Sequence, residues 1–297
     1  MIELRDMQLL VALARHQHFA RAAQDCGISQ PAFSMRIRAL EDRLGTAIVR
    51  RGNRFLGFTA QGEVLVGRAG SILEDAKALE QEMRATDGPV SGTLTLGVVP
   101  TALGPAARIC LALNQDFPDI AVRIESASSI DIQQGIETGQ MDAGLTYTDG
   151  VSADMMRIDP VYNERYVLYA HRDLVPSGAD AVDWAFAATL PLSLLNPQMQ
   201  NRRILDKVFQ DLGVQPRVVS QANVFTPAIS MVRQGQGATI LPEGVLPTLG
   251  DFADAVALPL IDPVVSKSIS LIAALKGPSL PVVQALYDIV AGMRDKL

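Results

Sequence analysis

Residues that usually advertise chemistry are scarce in this chain. Among 297 residues there are two cysteines, three histidines and one tryptophan, and aromatic residues make up only 5%. Cys26 and Cys110 are far apart, and neither stands in a CxxC pair or a Cys/His cluster, which excludes a disulfide scaffold and a structural zinc site. Both fall at apolar positions, where cysteine packs as a small hydrophobe. His16 and His18, two apart, point to different faces of a helix and make no metal pair. Gly235-Gln236-Gly237 lacks the lysine of a phosphate loop and follows a helix instead of opening one. No catalytic triad or carboxylate pair stands out, so no enzyme is expected, and neither metal nor cofactor. Long apolar runs are missing too: Glu3, Arg5, Asp6, Gln8 and Arg15 interrupt the N-terminus, and nothing approaches the ~18 residues of a membrane span. The composition, 48% hydrophobic and 20% charged, excludes disorder and fibrous repeats. A soluble protein of a reducing cytoplasm is expected.

What is present is unevenly distributed. The net charge is −6 and the pI about 5.1, which for the chain as a whole argues against a nucleic-acid partner. Within residues 1–60, however, nine arginines stand against five acids, a net +4. Residues 61–86 carry −2 and the remainder −8. A basic head precedes an acidic body. At ~150 residues per domain, the length predicts about two domains.

In the head, Met7, Leu10, Val11 and Ala14 recur at helical spacing; Phe19, Ala22 and Ala23 begin a second helix, and Gly27 stops it. Ser29 can cap a third helix with Pro31 in its first turn, because serine satisfies an orphan amide and proline has none to lose there. Phe33, Ile37, Leu40 and Leu44 make the apolar stripe of that helix, leaving Ser34 and Arg38 on a neighbouring polar face. Gly52 and Asn53 then form a turn between short extended arms, a hairpin wing with Arg50, Arg51 and Arg54 near its tip. Thr59 offers an N-cap to a long helix in which Leu65, Ala69, Ile72, Ala76, Leu79 and Met83 repeat at coiled-coil spacing. That seam predicts dimerisation; the plainer alternative is a helix lying on its own domain. Asp87, Gly88, Pro89, Ser91 and Gly92 read as a linker. Beyond it, strands at 94–98, 120–124, 143–147, 166–171, 190–195, 217–221, 238–241 and 269–275 alternate with helices at 105–117, 131–138, 200–212, 227–233 and 282–293. The alternation implies an α/β domain with mainly parallel sheets.

Four segments carry a family resemblance: Phe19-Ala20-Arg21-Ala22-Ala23, Ile28-Ser29-Gln30-Pro31-Ala32-Phe33-Ser34, Leu40-Glu41-Asp42-Arg43-Leu44-Gly45 and Thr59-Ala60-Gln61-Gly62-Glu63. They resemble the LysR-type transcriptional regulators, from which Ala20, Phe33 and Val49 depart conservatively, Ala20 at the cost of a phosphate contact. The resemblance implies a winged helix-turn-helix DNA-binding domain over residues 1–58, a linker and dimerisation helix over 59–87 and a hinge at 88–92. Residues 93–297 would form a two-lobed, periplasmic-binding-protein-like α/β effector domain, with lobe I at about 93–162 and 268–297 and lobe II at about 163–267.

Side-chain chemistry fits that reading. Beside the Ser29 cap, Gln30 can address an adenine edge, Pro31 a thymine methyl and Ser34 a base edge, while Arg38, Arg51 and Arg54 suit phosphate or the minor groove. The plainer alternative is a solvated polar face. Paired heads in a homodimer or homotetramer would read an interrupted inverted repeat in promoter DNA. In the C-terminal domain Thr101, Ser128, Ser129, Asn223, Phe225 and Thr226 fall where a strand ends or a helix begins, with Tyr147 and Asn196 as opposing walls. Helix starts attract anions, so a small organic effector, a carboxylate, is expected, although each hydroxyl alone could be a simple cap. The alternatives are a thiol switch through Cys110, and an enzyme or transport-binding protein with an incidental head.

Overall fold

The computed structural model describes residues 2–51, 55–85, 89–250, 252–275 and 280–293. Arg54 lies outside the described residues, and Arg51 is described by its backbone alone. The head consists of α1 (Leu4–His16), α2 (Phe19–Asp25), α3 (Gln30–Leu44) and a hairpin of β1 (Val49–Arg51) with β2 (Phe55–Phe58), followed by the long helix α4 (Ala60–Ala85). Gly27, at φ +66°, turns the chain between α2 and α3 in the left-handed region that side chains disfavour, and the Ile28 amide closes back onto the Ala23 carbonyl at 3.0 Å. The Ser29 hydroxyl then accepts the Ala32 amide at 3.4 Å and starts α3.

Leu9, Leu10, Leu13, Phe33, Ile37, Leu40 and Ile48 form the core of the head. Three edge-on aromatic contacts tie its parts together: Phe19 with Phe33 at 6.1 Å, Phe19 with Phe55 at 5.9 Å and Phe55 with Phe58 at 5.2 Å. The wing is thereby anchored to both helices of the turn. Asp6, buried in α1, accepts the Glu3 amide at 3.1 Å and ion-pairs with Arg43 at the end of α3. Glu41 accepts the Ile48 and Val49 amides at 2.9 and 3.1 Å, fixing the approach to β1. Thr59 accepts the Gly62 amide at 3.0 Å and donates to the Ala47 carbonyl at 2.7 Å, so the cap of α4 is also tied to the wing base.

The C-terminal unit runs β3 (Gly92–Val98), α5 (Leu103–Asp116), β4 (Ile120–Ser126), α6 (Ser129–Glu137), β5 (Ala143–Tyr147), β6 (Met156–His171), β7 (Val182–Asp183), α7 (Trp184–Thr189), β8 (Leu192–Leu195), α8 (Gln200–Asp211), β9 (Val218–Ala222), α9 (Thr226–Arg233), β10 (Ala238–Pro242), β11 (Ala255–Ile261), β12 (Ser266–Ala274) and α10 (Pro281–Met293). The strands follow the order β4-β3-β5-β12-β6-β10-β8-β9, with β11 alongside β6 and β7 beside β11. Strand β6 joins two lobes: its first part pairs with β12 in lobe I, and Tyr166 to Ala170 pair with β10 in lobe II.

The sheets are mixed, which corrects the expectation of mainly parallel ones. Strands β3, β4 and β5 are parallel, as are β8, β9 and β10 and the short β7–β11 pair, but β6 pairs antiparallel with β10, β11 and β12, and β12 antiparallel with β5. Two antiparallel segments, 156–165 and β11, carry prolines that weaken the strand pattern. Pro160 stands at a register shift opposite Ile269 and Ser270, and Pro259 is in β11, so the missing amides are tolerated there. Trp184 fills lobe II between Tyr166 and Phe209, with ring centroids at 6.5 and 5.5 Å, and donates its indole N–H to the Pro263 carbonyl at 2.9 Å. No helix among the described residues is long and apolar enough to cross a membrane.

Glycine at position 62 is required by close approach: a Cβ there would lie 2.1 Å from the Ile48 carbonyl oxygen. The oxygen belongs to backbone and cannot swing aside as the end of a flexible side chain would. Gly62→Ala is expected to destabilise the protein by about 2 kcal/mol or more, read as a lower midpoint in urea denaturation. A midpoint equal to wild type would show that the wing base is not rigid.

Candidate functional site

Two sites emerge. At the start of α3, Ser29, Gln30 and Pro31 are exposed, Ser34 is half-buried, and Arg38 is exposed further along. Phe33, Ile37 and Leu40 bury the opposite side of the helix, so this polar face is turned outward by the packing of the core. Met35, 70% exposed, and Arg36 share the outward side and were not singled out from sequence. Arg50 at the wing is exposed as well. His16 contacts Asp25 at 3.0 Å and links α1 to the end of α2.

The second site lies where the lobes meet. Val98 of β3 pairs with Ser126 of β4 and with Leu145 of β5, so the segments that follow, at Thr101, Ser128 to Ser129 and Tyr147, share one sheet edge. Ser128 caps α6, accepting the Asp131 amide at 3.2 Å and donating to its carboxylate at 2.6 Å. Ser129 is buried with its hydroxyl unpartnered. Thr101 and Tyr147, both buried, meet with their hydroxyls 3.2 Å apart.

Beside this pair, Glu164 projects from β6. Its carboxylate accepts from the Tyr147 hydroxyl at 2.8 Å and from the Tyr162 hydroxyl at 3.4 Å, and Thr101 also bonds to it. Tyr166 stands 3.5 Å from the Tyr147 hydroxyl and extends the cluster toward Asn201 at the start of α8. Asn201 is close enough to influence the Tyr166 hydroxyl, yet both of its buried amide atoms lack a well-formed hydrogen bond. Burial pushes the Glu164 carboxyl up to about 7, against the lowering effect of the surrounding hydroxyls. Burial, with the Glu164 charge adding to it, also lifts Tyr147, Tyr162 and Tyr166 well above the usual tyrosine range, so these hydroxyls remain protonated.

Residues 4–63 match the model of the bacterial regulatory helix-turn-helix protein, lysR family, and residues 87–294 match the LysR substrate binding domain. The chain belongs to the LysR family of transcriptional regulators. Among its relatives, the hydrogen peroxide-inducible genes activator of Haemophilus influenzae is 30% identical, covering 100% of both chains. Solved structures of similar fold include a full-length OxyR variant from Pseudomonas aeruginosa, with a TM-score of 0.72, 24% identity and coverage of 98% of this chain and 95% of that one. Full-length CbnR complexed with its target DNA has a TM-score of 0.66 and 21% identity, covering 98% of this chain and 99% of that one.

Within the LysR-type fold, the residues singled out from sequence divide into groups. Thr101 and Tyr147 come together with Glu164, whereas Asn196 and Asn223 pair with each other through their side chains at the ends of β8 and β9. Thr226 is exposed at the first turn of α9, and the Phe225 ring is buried in an apolar cluster with Tyr169, Val232 and Leu241. Along α4, Ala69 is buried and Leu65 and Ala76 are half-buried, while Ile72, Leu79 and Met83 are 41, 61 and 65% exposed. Tyr162, Glu164, Tyr166 and Asn201 were missed from sequence.

The raised Glu164 has a consequence for stability. Between its ordinary value near 4.5 and about 7, the folded protein holds a proton that the unfolded chain has released. Stability therefore falls as pH rises through this window, by roughly 3 kcal/mol. Glu164→Gln is expected to flatten that slope in urea denaturation between pH 5 and 7. An unchanged slope would place the titration elsewhere.

Proposed function

We propose that this LysR-type regulator binds promoter DNA through residues 1–58 and is gated by a small organic anion held between the lobes of residues 93–297, with residues 59–87 as linker and 88–92 as hinge. The observation that carries the effector reading is the buried hydroxyl cluster of Thr101, Tyr147, Tyr162 and Tyr166 around Glu164, bounded by the unpartnered polar groups of Ser129 and Asn201. Buried polar groups normally find partners, and an effector would supply those missing here. Ser128 in lobe I and the Asn196–Asn223 pair with Thr226 in lobe II are assigned to the walls of the cleft. The carboxylate of the effector is assigned to the helix starts at Ser129 and Asn201.

On the DNA side, Gln30 and Ser34 read base edges, Pro31 packs on a thymine methyl, and Ser29 holds the helix start. Arg38, Arg51 and Arg54 take phosphate or the minor groove. Ile72, Leu79 and Met83, exposed on one chain, support a seam with Leu65, Ala69 and Ala76 that pairs two copies. Paired heads then address an interrupted inverted repeat. Effector binding favours one lobe arrangement over another, and the linker helices carry that preference to the heads.

Similarity to a hydrogen peroxide-inducible activator favours a second reading, a peroxide response through Cys110. The chemistry of the thiols weighs against it. Cys110 on α5 is half-buried and burial pushes its thiol up, away from the thiolate that peroxide oxidises. Burial likewise raises Cys26, against a lowering effect of Arg5, and Cys26 belongs to the head. The effector reading is therefore preferred. A reporter that lost its oxidant response on Cys110→Ser would reverse this preference.

Band-shift titration on the DNA upstream of the gene tests the recognition assignment. Combined Gln30→Ala and Ser34→Ala should weaken operator binding by at least about tenfold while leaving weak non-specific binding in place, since each base contact is worth ~1–3 kcal/mol. Wild-type operator affinity in the double variant would defeat the assignment of α3 as the base-reading helix.

A further inference from the structure

Among the described residues, no cation is in direct contact with the buried carboxylate at the lobe junction. Glu164 is 3% exposed, and its described partners are the hydroxyls of Tyr147, Tyr162 and Thr101, all neutral. A buried carboxylate is ordinarily matched by a cation, because hydroxyls only partly replace its lost hydration. Lys267 sits directly across from Glu164 in the pairing of β6 with β12, but its ammonium goes to Asp149 at 2.6 Å. Arg108 of α5 acts on Tyr162, and the Asp149 charge acts on Tyr166. Arg202, next to the bare Asn201 amide, is committed to Asp206 at 2.7 Å and the Leu195 carbonyl at 3.0 Å. Apart from Arg108, which acts on the Tyr162 hydroxyl, the charged groups named around the site are either negative or engaged elsewhere.

The other end of the site has the opposite polarity. Asn201 is the second residue of α8 and Ser129 the first of α6, and both side chains are more than nine-tenths buried; the Ser129 hydroxyl has no partner among the described residues, and the Asn201 amide has no well-formed bond beyond its approach to Tyr166. Helices of these lengths present partial positive charge at their starts. Asn201 is directed toward Tyr166, and through Tyr147 the hydroxyl chain reaches Glu164. Once Glu164 has released its proton, above about pH 7, the site therefore has a negative pole on β6 and positive poles at two helix starts.

We infer that the inter-lobe site takes a small zwitterion, an amino-acid-like molecule whose ammonium group meets Glu164 and whose carboxylate meets Ser129 and Asn201. This rests on the proposed inter-lobe effector site and sharpens its ligand from an organic anion to one that also carries a cation. The ammonium completes the charge pair that the protein leaves open. A simple carboxylate of the same size would occupy the helix starts but bring a second negative charge toward Glu164.

Matched ligand pairs on the full-length protein provide the test: aspartate with succinate, alanine with propionate and leucine with 4-methylpentanoate, extended to the remaining standard amino acids. Thermal shift finds the binders and calorimetry gives their affinity. At least one amino acid should raise the melting temperature while its deaminated partner does not. Its affinity should fall at least about tenfold in Glu164→Gln, and also about tenfold in wild type between pH 8 and pH 6, as the carboxyl takes up its proton. The wild-type comparison stands even if the variant fails to fold. Deaminated acids binding as tightly as their amino partners would overturn the zwitterion and leave the anion-effector reading standing. Undiminished amino-acid affinity in a folded Glu164→Gln would overturn the role of Glu164. If neither class binds while operator DNA is still bound, both the zwitterion and the organic-anion reading fall.

Discussion

Strand β6 hydrogen-bonds into both lobes, and much of the C-terminal unit is arranged around that shared backbone. Its first part lies against β12, and its second part lies between β10 and β11. Because side chains alternate along a strand, Tyr162, Glu164 and Tyr166 fall on one face as the strand passes from one lobe to the next. Lobe I supplies Tyr147 and Thr101 to that face, and the start of α8 in lobe II supplies Asn201. The polar cluster is a product of the crossing. Tyr166 has a second role, since its ring packs toward Trp184 in the lobe II core while its hydroxyl stands near Tyr147. Rearrangement at the cluster therefore has a direct mechanical connection to apolar packing.

In the head a comparable economy operates on a smaller scale. A domain of some sixty residues buries little surface, so it relies on specific ties between elements. The edge-on ring series from Phe33 through Phe19 and Phe55 to Phe58 holds the wing against α2 and α3, and the Asp6–Arg43 pair holds α1 to the end of α3. These contacts lie behind the polar face that Gln30 and Ser34 occupy. The orientation of that face is a consequence of the core, not of contacts among the polar residues themselves.

The head was legible in sequence because its signals are local. The Ser29 cap, Pro31 in the first turn, the Gly27 stop and the stripe of Phe33, Ile37 and Leu40 each depend on residues a few positions away. Thr101 and Tyr147 could be placed at strand ends for the same reason. Glu164 could not, because what distinguishes it is burial against residues distant in sequence. The alternation of Tyr162, Glu164 and Tyr166 was the available sign, an acid between two tyrosines on one strand face, but Pro160 masked the strand before it. Asn201 looked like any polar residue at a helix start until its buried, unmatched amide was seen. The mixed sense of the sheets was hidden likewise, since antiparallel β11 and β12 return to β6 from far along the chain.

The helix that joins the two parts is 26 residues long, from Ala60 to Ala85. At 1.5 Å per residue it is a rod of about 39 Å. Its near end is locked to the head by the Thr59 cap and by buried Val66, whereas the exposed Leu79 and Met83 lie at its far end. Under the proposed mechanism, such a rod would serve as a lever arm. A tilt of about 5° at the far end carries the head through about 3.4 Å, the rise of one base pair. If α4 transmits effector binding as proposed, a tilt of this size would be enough to move α3 by one base step.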